Sequence, residues 1–339
     1  MTSRHSARWL VSPRYDALFF LGSALLVVPM VWLYRGLEGR ILPLGSDNVL
    51  AAYFVFAALF DHPHIFQSFS RTLADPIERA RHRYLHTVGL LAFIAGGFVI
   101  SAVGLDRQFI VVAAMYGTWH IARQHWGFLR VYKALNKDYG PLQDRLDWLL
   151  FYGGTVALWL MGYTDVGNKI TVYRALTAPF PDIPLWLANT AMRLFVVVLA
   201  VYIGHQIFRR AEGKPLNLPK LLLLGCALGT HAYVYVGTNF PFLVAEAVQT
   251  IYHDVQYQGF IMHFQRRRLS DVLAKRFLVA SVIYGLVAAT IECLALLQRD
   301  LKWIAIPFGM IVIYHYYADG RIWRFREAPE LHELFPKAN

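Results

Sequence analysis

Long apolar runs, separated by short polar segments rich in Arg and Lys, recur along the whole chain. A helix crossing about 30 Å of hydrocarbon needs about 20 largely apolar residues. The runs that match are 16–34, 48–66, 86–104, 108–130, 147–163, 186–207, 220–237, 241–263, 277–297 and 301–320. Apolar and polar residues do not alternate within them, as they would in the strands of a membrane barrel. The pattern predicts an all-α fold: a polytopic membrane helix bundle of about ten transmembrane helices, one domain over 1–339. Residues 164–185 form the longest outer loop in this reading. The inner segment 70–85 reads as an amphipathic surface helix or a linker.

The polar segments orient the bundle, because Lys and Arg collect in cytoplasmic loops. With the N-terminus cytoplasmic, the inner segments hold 24 Lys and Arg and the outer ones seven, while Arg123 and Arg193 fall inside spans. That asymmetry predicts cytoplasmic N- and C-termini. Composition agrees with a lipid environment, at 57% hydrophobic and only 16% charged residues. The net charge of +11 is then a topology signal and needs no nucleic-acid partner. Cys226 and Cys293 lie in apolar runs without ligand spacing, which argues against a disulfide framework, a zinc–cysteine site or an iron–sulfur cluster. The first 16 residues do not read as a cleaved signal peptide, and the expected location is the inner (plasma) membrane of a bacterium.

Thirteen histidines are many for so apolar a chain, and polar groups inside a bilayer are costly unless they have partners or a function. His5 and His332 lie in the tails. His205 and His231 read as inter-helix packing bonds. His64, His120, His253 and His315 lie 12 to 16 residues below the outer ends of their spans. At 1.5 Å per residue that puts all four roughly 18–24 Å deep, so they can meet. His82 and His86 stand at the inner edge of the same layer.

Helical spacing assigns faces. His82 and His86, His120 and Gln124, and His315 and Asp319 are each i,i+4 pairs. Glu246, Gln249, His253, Tyr257 and Phe260 form one stripe. His120 and His125 diverge by about 140° and reach one centre only if the helix unwinds near Gly127 or takes a π-bulge. Pro63 kinks the end of the second span, which would let His62 and His64 turn to one side. Neutral imidazole is the commonest metal ligand. The candidate ligands are His62, His64, His82, His86, His120, His125, His253, His263 and His315, with Asp319 as ligand or as a group orienting one. Asp61, Arg123, Gln124, Glu246, Asp254, Gln256 and Tyr257 are candidates to orient ligands or contact substrate. Glu246 and Glu292 would pair with Arg193 or with each other.

The pieces His82-x-x-x-His86, His120-x-x-x-x-His125 and His315-x-x-x-Asp319 give the chain a style that resembles the integral-membrane di-iron desaturases and hydroxylases. The paired HxxHH boxes of those enzymes are absent. The resemblance implies two iron ions, dioxygen, an apolar or lipid substrate in the bilayer and a separate cytoplasmic electron donor, which the basic inner loops would dock. Two alternatives carry the same histidines: a haem b protein with axial ligands such as His120 and His253, and an ion or metal transporter.

Overall fold

The computed structural model describes residues 7–40, 47–164, 166 and 170–335. The long helices are α1 (Pro13–Gly36), α2 (Asn48–Ala74), α4 (Leu85–Ala102), α5 (Asp106–Leu135), α6 (residues 141–162), α7 (Leu185–Ala211), α8 (Leu218–Tyr235), α9 (Phe242–Arg268), α10 (Asp271–Leu297) and α11 (Lys302–Ile322). A short α3 (Pro76–Arg81) follows α2, and a 3₁₀ turn, Pro329–Leu334, ends the described chain. Within the expected outer loop, Ile170–Tyr173 (β1) and Leu176–Ala178 (β2) pair as an antiparallel hairpin. Its Tyr173 and the following Phe180 are buried against Tyr163 and Leu243.

Among the described residues five helices, α1, α2, α4, α7 and α10, are long and apolar enough to cross a bilayer. Half of the α2 window is buried, whereas the other four, α1, α4, α7 and α10, present most of their apolar surface outward, with only 11% of the α7 window buried. Such a surface is stable against lipid and unstable against water. The polar helix α9 sits inside these helices. Of the 27 residues of α9, 18 are buried, and it packs against α1, α2, α5, α8 and α10. A helix enclosed in this way can bury His, Asp, Gln and Tyr without exposing them to hydrocarbon.

Two apolar clusters on α9 bracket a polar layer. Val244, Val248 and Ile251 pack with Met30, Phe56 and Ala289 on one side. Phe260, Ile261 and Phe264 pack with Phe20, Leu129 and Leu331 on the other. His253, Asp254 and Tyr257 occupy the gap between them.

A local irregularity in α2 aims its residues into that layer. Ala57–Asp61 form a π-helical turn immediately before His62-Pro63-His64. Pro63 has no N–H to continue a regular ladder, and the wider turn absorbs the loss. Gly285 of α10 lies against this kink. A Cβ there would strike the Ala58 carbonyl oxygen and come within 2.8 Å of the Pro63 ring.

Segment 70–85 is not a surface helix. Arg71 and Glu78 are fully buried, and Arg71 pairs with Asp75, with Glu78 at 3.4 Å and with Glu330 at 3.0 Å. The C-terminal turn supplies that last carboxylate, so the folded chain end covers a segment whose own pattern looked solvent-facing.

Candidate metal centre

Four imidazoles from four helices meet in the polar layer. His64 of α2 has its ring centroid 4.8 Å from His315 of α11 and 5.2 Å from His253 of α9. His120 of α5 is 4.9 Å from His253 and 5.0 Å from His315. All four are buried. These are the histidines that share one depth in the sequence.

Carboxylates flank them on two sides. Asp254 Oδ1 is 3.0 Å from His64 Nδ1, and Asp61 Oδ1 is 3.7 Å from the same nitrogen. On the other side Asp319 Oδ1 is 3.6 Å from His315 Nδ1. Donor atoms fall into overlapping sets, within each of which they lie no more than 4.8 Å apart: His64, His253 and His315; Asp61, His64 and Asp254; His120, His315 and Asp319. Donors about 2.1 Å from one ion stand within about 4.2 Å of each other, so each set is close to the span that one ion requires.

Hydrogen bonding leaves these donors open. Both ring nitrogens of His64 and His253, one each of His120 and His315, and both oxygens of Asp254 have no hydrogen-bond partner. The 3.0 Å approach of His64 to Asp254 is thus near without being aligned for a hydrogen bond. An unpaired buried polar atom costs about 1–3 kcal/mol, a cost that a bound ion or ordered water would relieve.

Neighbouring groups orient the set. Ser68 Oγ lies 2.7 Å from His315 Nδ1 and 3.0 Å from the Tyr257 hydroxyl. Tyr257 donates to Asp319 at 3.1 Å, and Gln124 donates to the His253 carbonyl at 3.0 Å. Ser68 was not singled out in the sequence, although it stands one turn after His64 on the same face.

Several expected ligands lie elsewhere. His62 turns away from His64 to Glu292 of α10, 3.0 Å from its Oε2, where Tyr53 also donates. The kink at Pro63 therefore does not bring His62 and His64 to one side. Glu292 pairs with His62 rather than Arg193, which is exposed. Glu246 is half-buried with Asp61 as its charged neighbour. α5 is regular across Gly127, so His125 diverges from His120; it stacks on Tyr252 and faces His231 at 6.4 Å. Gln256 donates to the Phe20 carbonyl at 2.8 Å, and His231 bonds its own helix at Ala227. His263 Nε2 is 2.8 Å from the Leu334 carbonyl, pinning the C-terminal turn. His5 lies outside the described residues.

His82 and His86 form a separate group with Glu78. His82 Nδ1 is 2.6 Å and His86 Nε2 3.1 Å from Glu78 Oε1, and His86 Nδ1 is 2.7 Å from the Tyr314 hydroxyl. Arg81 and Arg71 also reach Glu78. Burial alone would raise the Glu78 carboxyl, but the bonds from His86 and His82 and the Arg71 charge hold it below its ordinary value. Glu78, His82 and His86 also bring one donor atom each within 4.8 Å of one another, as a ligand set would, but the two guanidiniums on Glu78 make a cation less favourable here than among the four central histidines. Glu78 was not singled out in the sequence, although it stands four residues before His82, as His82 does before His86.

A cavity of about 460 Å³ connects the cluster with the bundle surface. Its lining includes the buried His120 and Tyr257, with Asp319 and Tyr316, and also the exposed Arg123 with Trp323 and Phe335. The arrangement offers buried donors for ions, an approach for a small molecule and an apolar surround that limits water. No protein-family model, no curated protein and no solved structure matches the chain.

Proposed function

We propose that the chain is a membrane oxidoreductase whose histidine–carboxylate cluster holds two metal ions, iron in this reading. The observation that carries it is the convergence of His64, His120, His253 and His315 with Asp61, Asp254 and Asp319, with so many of their polar atoms lacking any other partner. One ion would take Asp61, His64 and Asp254, the other His120, His315 and Asp319, with His253 between them. Mixed imidazole and carboxylate donors suit iron better than magnesium or calcium, which favour oxygen alone.

When bound, the ions would supply the electron chemistry that activates dioxygen against an apolar substrate. Hydroxylation in this scheme consumes one dioxygen, two electrons and two protons, and yields the alcohol and one water. The electrons come from a separate donor protein docked at the basic end. The residues themselves orient and enclose: Ser68 sets the His315 ring, Tyr257 holds Asp319, and Trp119 and Tyr316 wall the cavity beside His120.

A haem fits this layer less well. His120 and His253 are only 4.9 Å apart at their centroids, with His64 and His315 each about 5 Å from one or both, and this crowding favours bare ions over a macrocycle. Ten crossings, a bacterial inner membrane and cytoplasmic chain ends belong to the same proposal. The crossings and the cytoplasmic ends are supported by the placement of Lys and Arg and by the enclosure of the polar helices.

Metal analysis with an optical spectrum of the purified, iron-reconstituted protein tests the centre. Two irons per chain without a Soret band are expected. A Soret band, or less than one metal per chain, overturns the reading. Reporter fusions after residues 75, 138, 212 and 270 should all report the cytoplasmic side, and an outer location at any of them overturns the topology.

A further inference from the structure

Three spaces meet at one side chain. The first is the cavity that ends at His120 and Asp319. The second, of about 680 Å³, is an apolar groove between α5, α6 and α7, walled by Trp119, Trp148, Val156 and Leu194 with Gly153 and Ala191 among its small residues. The third, of about 1380 Å³, is a vestibule at the end of the bundle where Arg130, Arg324 and Arg326 gather. Arg123 lines all of them.

The charge of Arg123 has no carboxylate to meet it among the described residues. Its Nη1 donates to the Tyr152 hydroxyl at 3.3 Å, and the guanidinium lies 6.0 Å from the centre of the Trp119 ring. Of the nearby cations, Lys133 is held by Asp144 and Asp147 and Arg324 by Glu327, while Arg130 and Arg326 line the vestibule but neither the cavity nor the groove. An arginine near a membrane surface can simply extend toward the headgroups. That role requires neither a groove lined with aromatic and aliphatic residues on one side nor a cavity leading to His120 on the other.

We propose that this junction binds a long-chain carboxylate from the surrounding bilayer. The alkyl chain lies in the α5–α6–α7 groove, whose small residues leave depth for one chain. The carboxylate pairs with Arg123. With Nη1 on Tyr152, the Nε and Nη2 edge remains, and its two parallel N–H groups match the two oxygens of a carboxylate. The head group then stands at the junction with the cavity that leads to His120 and Asp319. That the bound carboxylate is the substrate rests on the oxidoreductase reading; the binding itself does not.

The test is therefore made on metal-free protein in zwitterionic nanodiscs. Three of the nine tryptophans, Trp119, Trp126 and Trp148, line the groove, so dibromostearic acid and dibromostearyl alcohol are compared as quenchers at equal membrane concentration. The acid should quench at a concentration about tenfold lower than the alcohol, the size expected of a charge-assisted pair. Arg123→Gln should abolish that preference while Arg123→Lys keeps part of it. Ala191→Phe, which fills the groove and leaves Arg123 in place, should weaken both probes. Equal quenching by acid and alcohol in the unaltered protein, or an undiminished preference in Arg123→Gln, overturns the site. If the acid binds as expected but iron-loaded protein with an electron donor leaves it unchanged, the oxidoreductase reading fails and the binding site stands.

Discussion

Ser68 Oγ approaches His315 Nδ1 at 2.7 Å while His315 Nε2 has no partner. A hydroxyl on one ring nitrogen fixes the ring's orientation and leaves the other nitrogen free to bind an ion. Ser68→Ala should lower iron affinity by roughly 10–100-fold, as loss of such a supporting contact does. Stoichiometry should recover at high iron supply. Titration with ferrous iron reads both, and unchanged affinity would remove Ser68 from the site.

Gly285 and Pro63 form the second sensitive contact. Because a Cβ at 285 would strike the Ala58 carbonyl and the Pro63 ring, Gly285→Ala should force α2 and α10 apart at the kink that aims His64. Overpacking of this kind costs about 1–3 kcal/mol. The expected result is a lower melting temperature together with reduced iron content. Wild-type values of both would show that the helices yield without strain.

Substituting histidines should separate the two groups. His120→Ala removes a donor from the central cluster and should abolish iron binding at one position. His86→Ala instead breaks bonds to Tyr314 and Glu78, at a cost of about 1–3 kcal/mol in stability, and should leave iron content unchanged. Iron loss in His86→Ala would join the inner network to the centre.

Acid should loosen the C-terminal turn before the rest of the bundle. Burial would raise Glu330, but Arg81, its own backbone N–H and Arg71 outweigh burial and hold it at about 2. Glu78 is likewise depressed. A carboxyl whose folded value is lowered stabilises the fold fully above its ordinary value near 4.5 and loses that contribution as pH falls toward the folded one. Between pH 4.5 and 2 the segment beyond Ile322 should therefore become susceptible to an acid-active protease. Arg81→Gln should shift the onset to higher pH, and an onset identical to wild type would exclude Arg81 from the linkage.

How much of this was legible in the chain depends on range. Runs of about 20 apolar residues specify helices because backbone groups in hydrocarbon must bond within their own segment. Counting along such helices placed His64, His120, His253 and His315 at one depth, and the pairs His82–His86 and His315–Asp319 followed from local periodicity. Azimuth was not available to counting. Whether His125 joined His120 depended on α5 remaining regular across Gly127, whereas the π-helical turn formed at Ala57–Asp61. His62 found Glu292, and Arg71 was buried by Glu330, 259 positions further along. Those choices belong to the tertiary structure, because a side chain's partner is set by which helix packs beside it, and that is decided by shape across the whole bundle rather than by the composition of either segment.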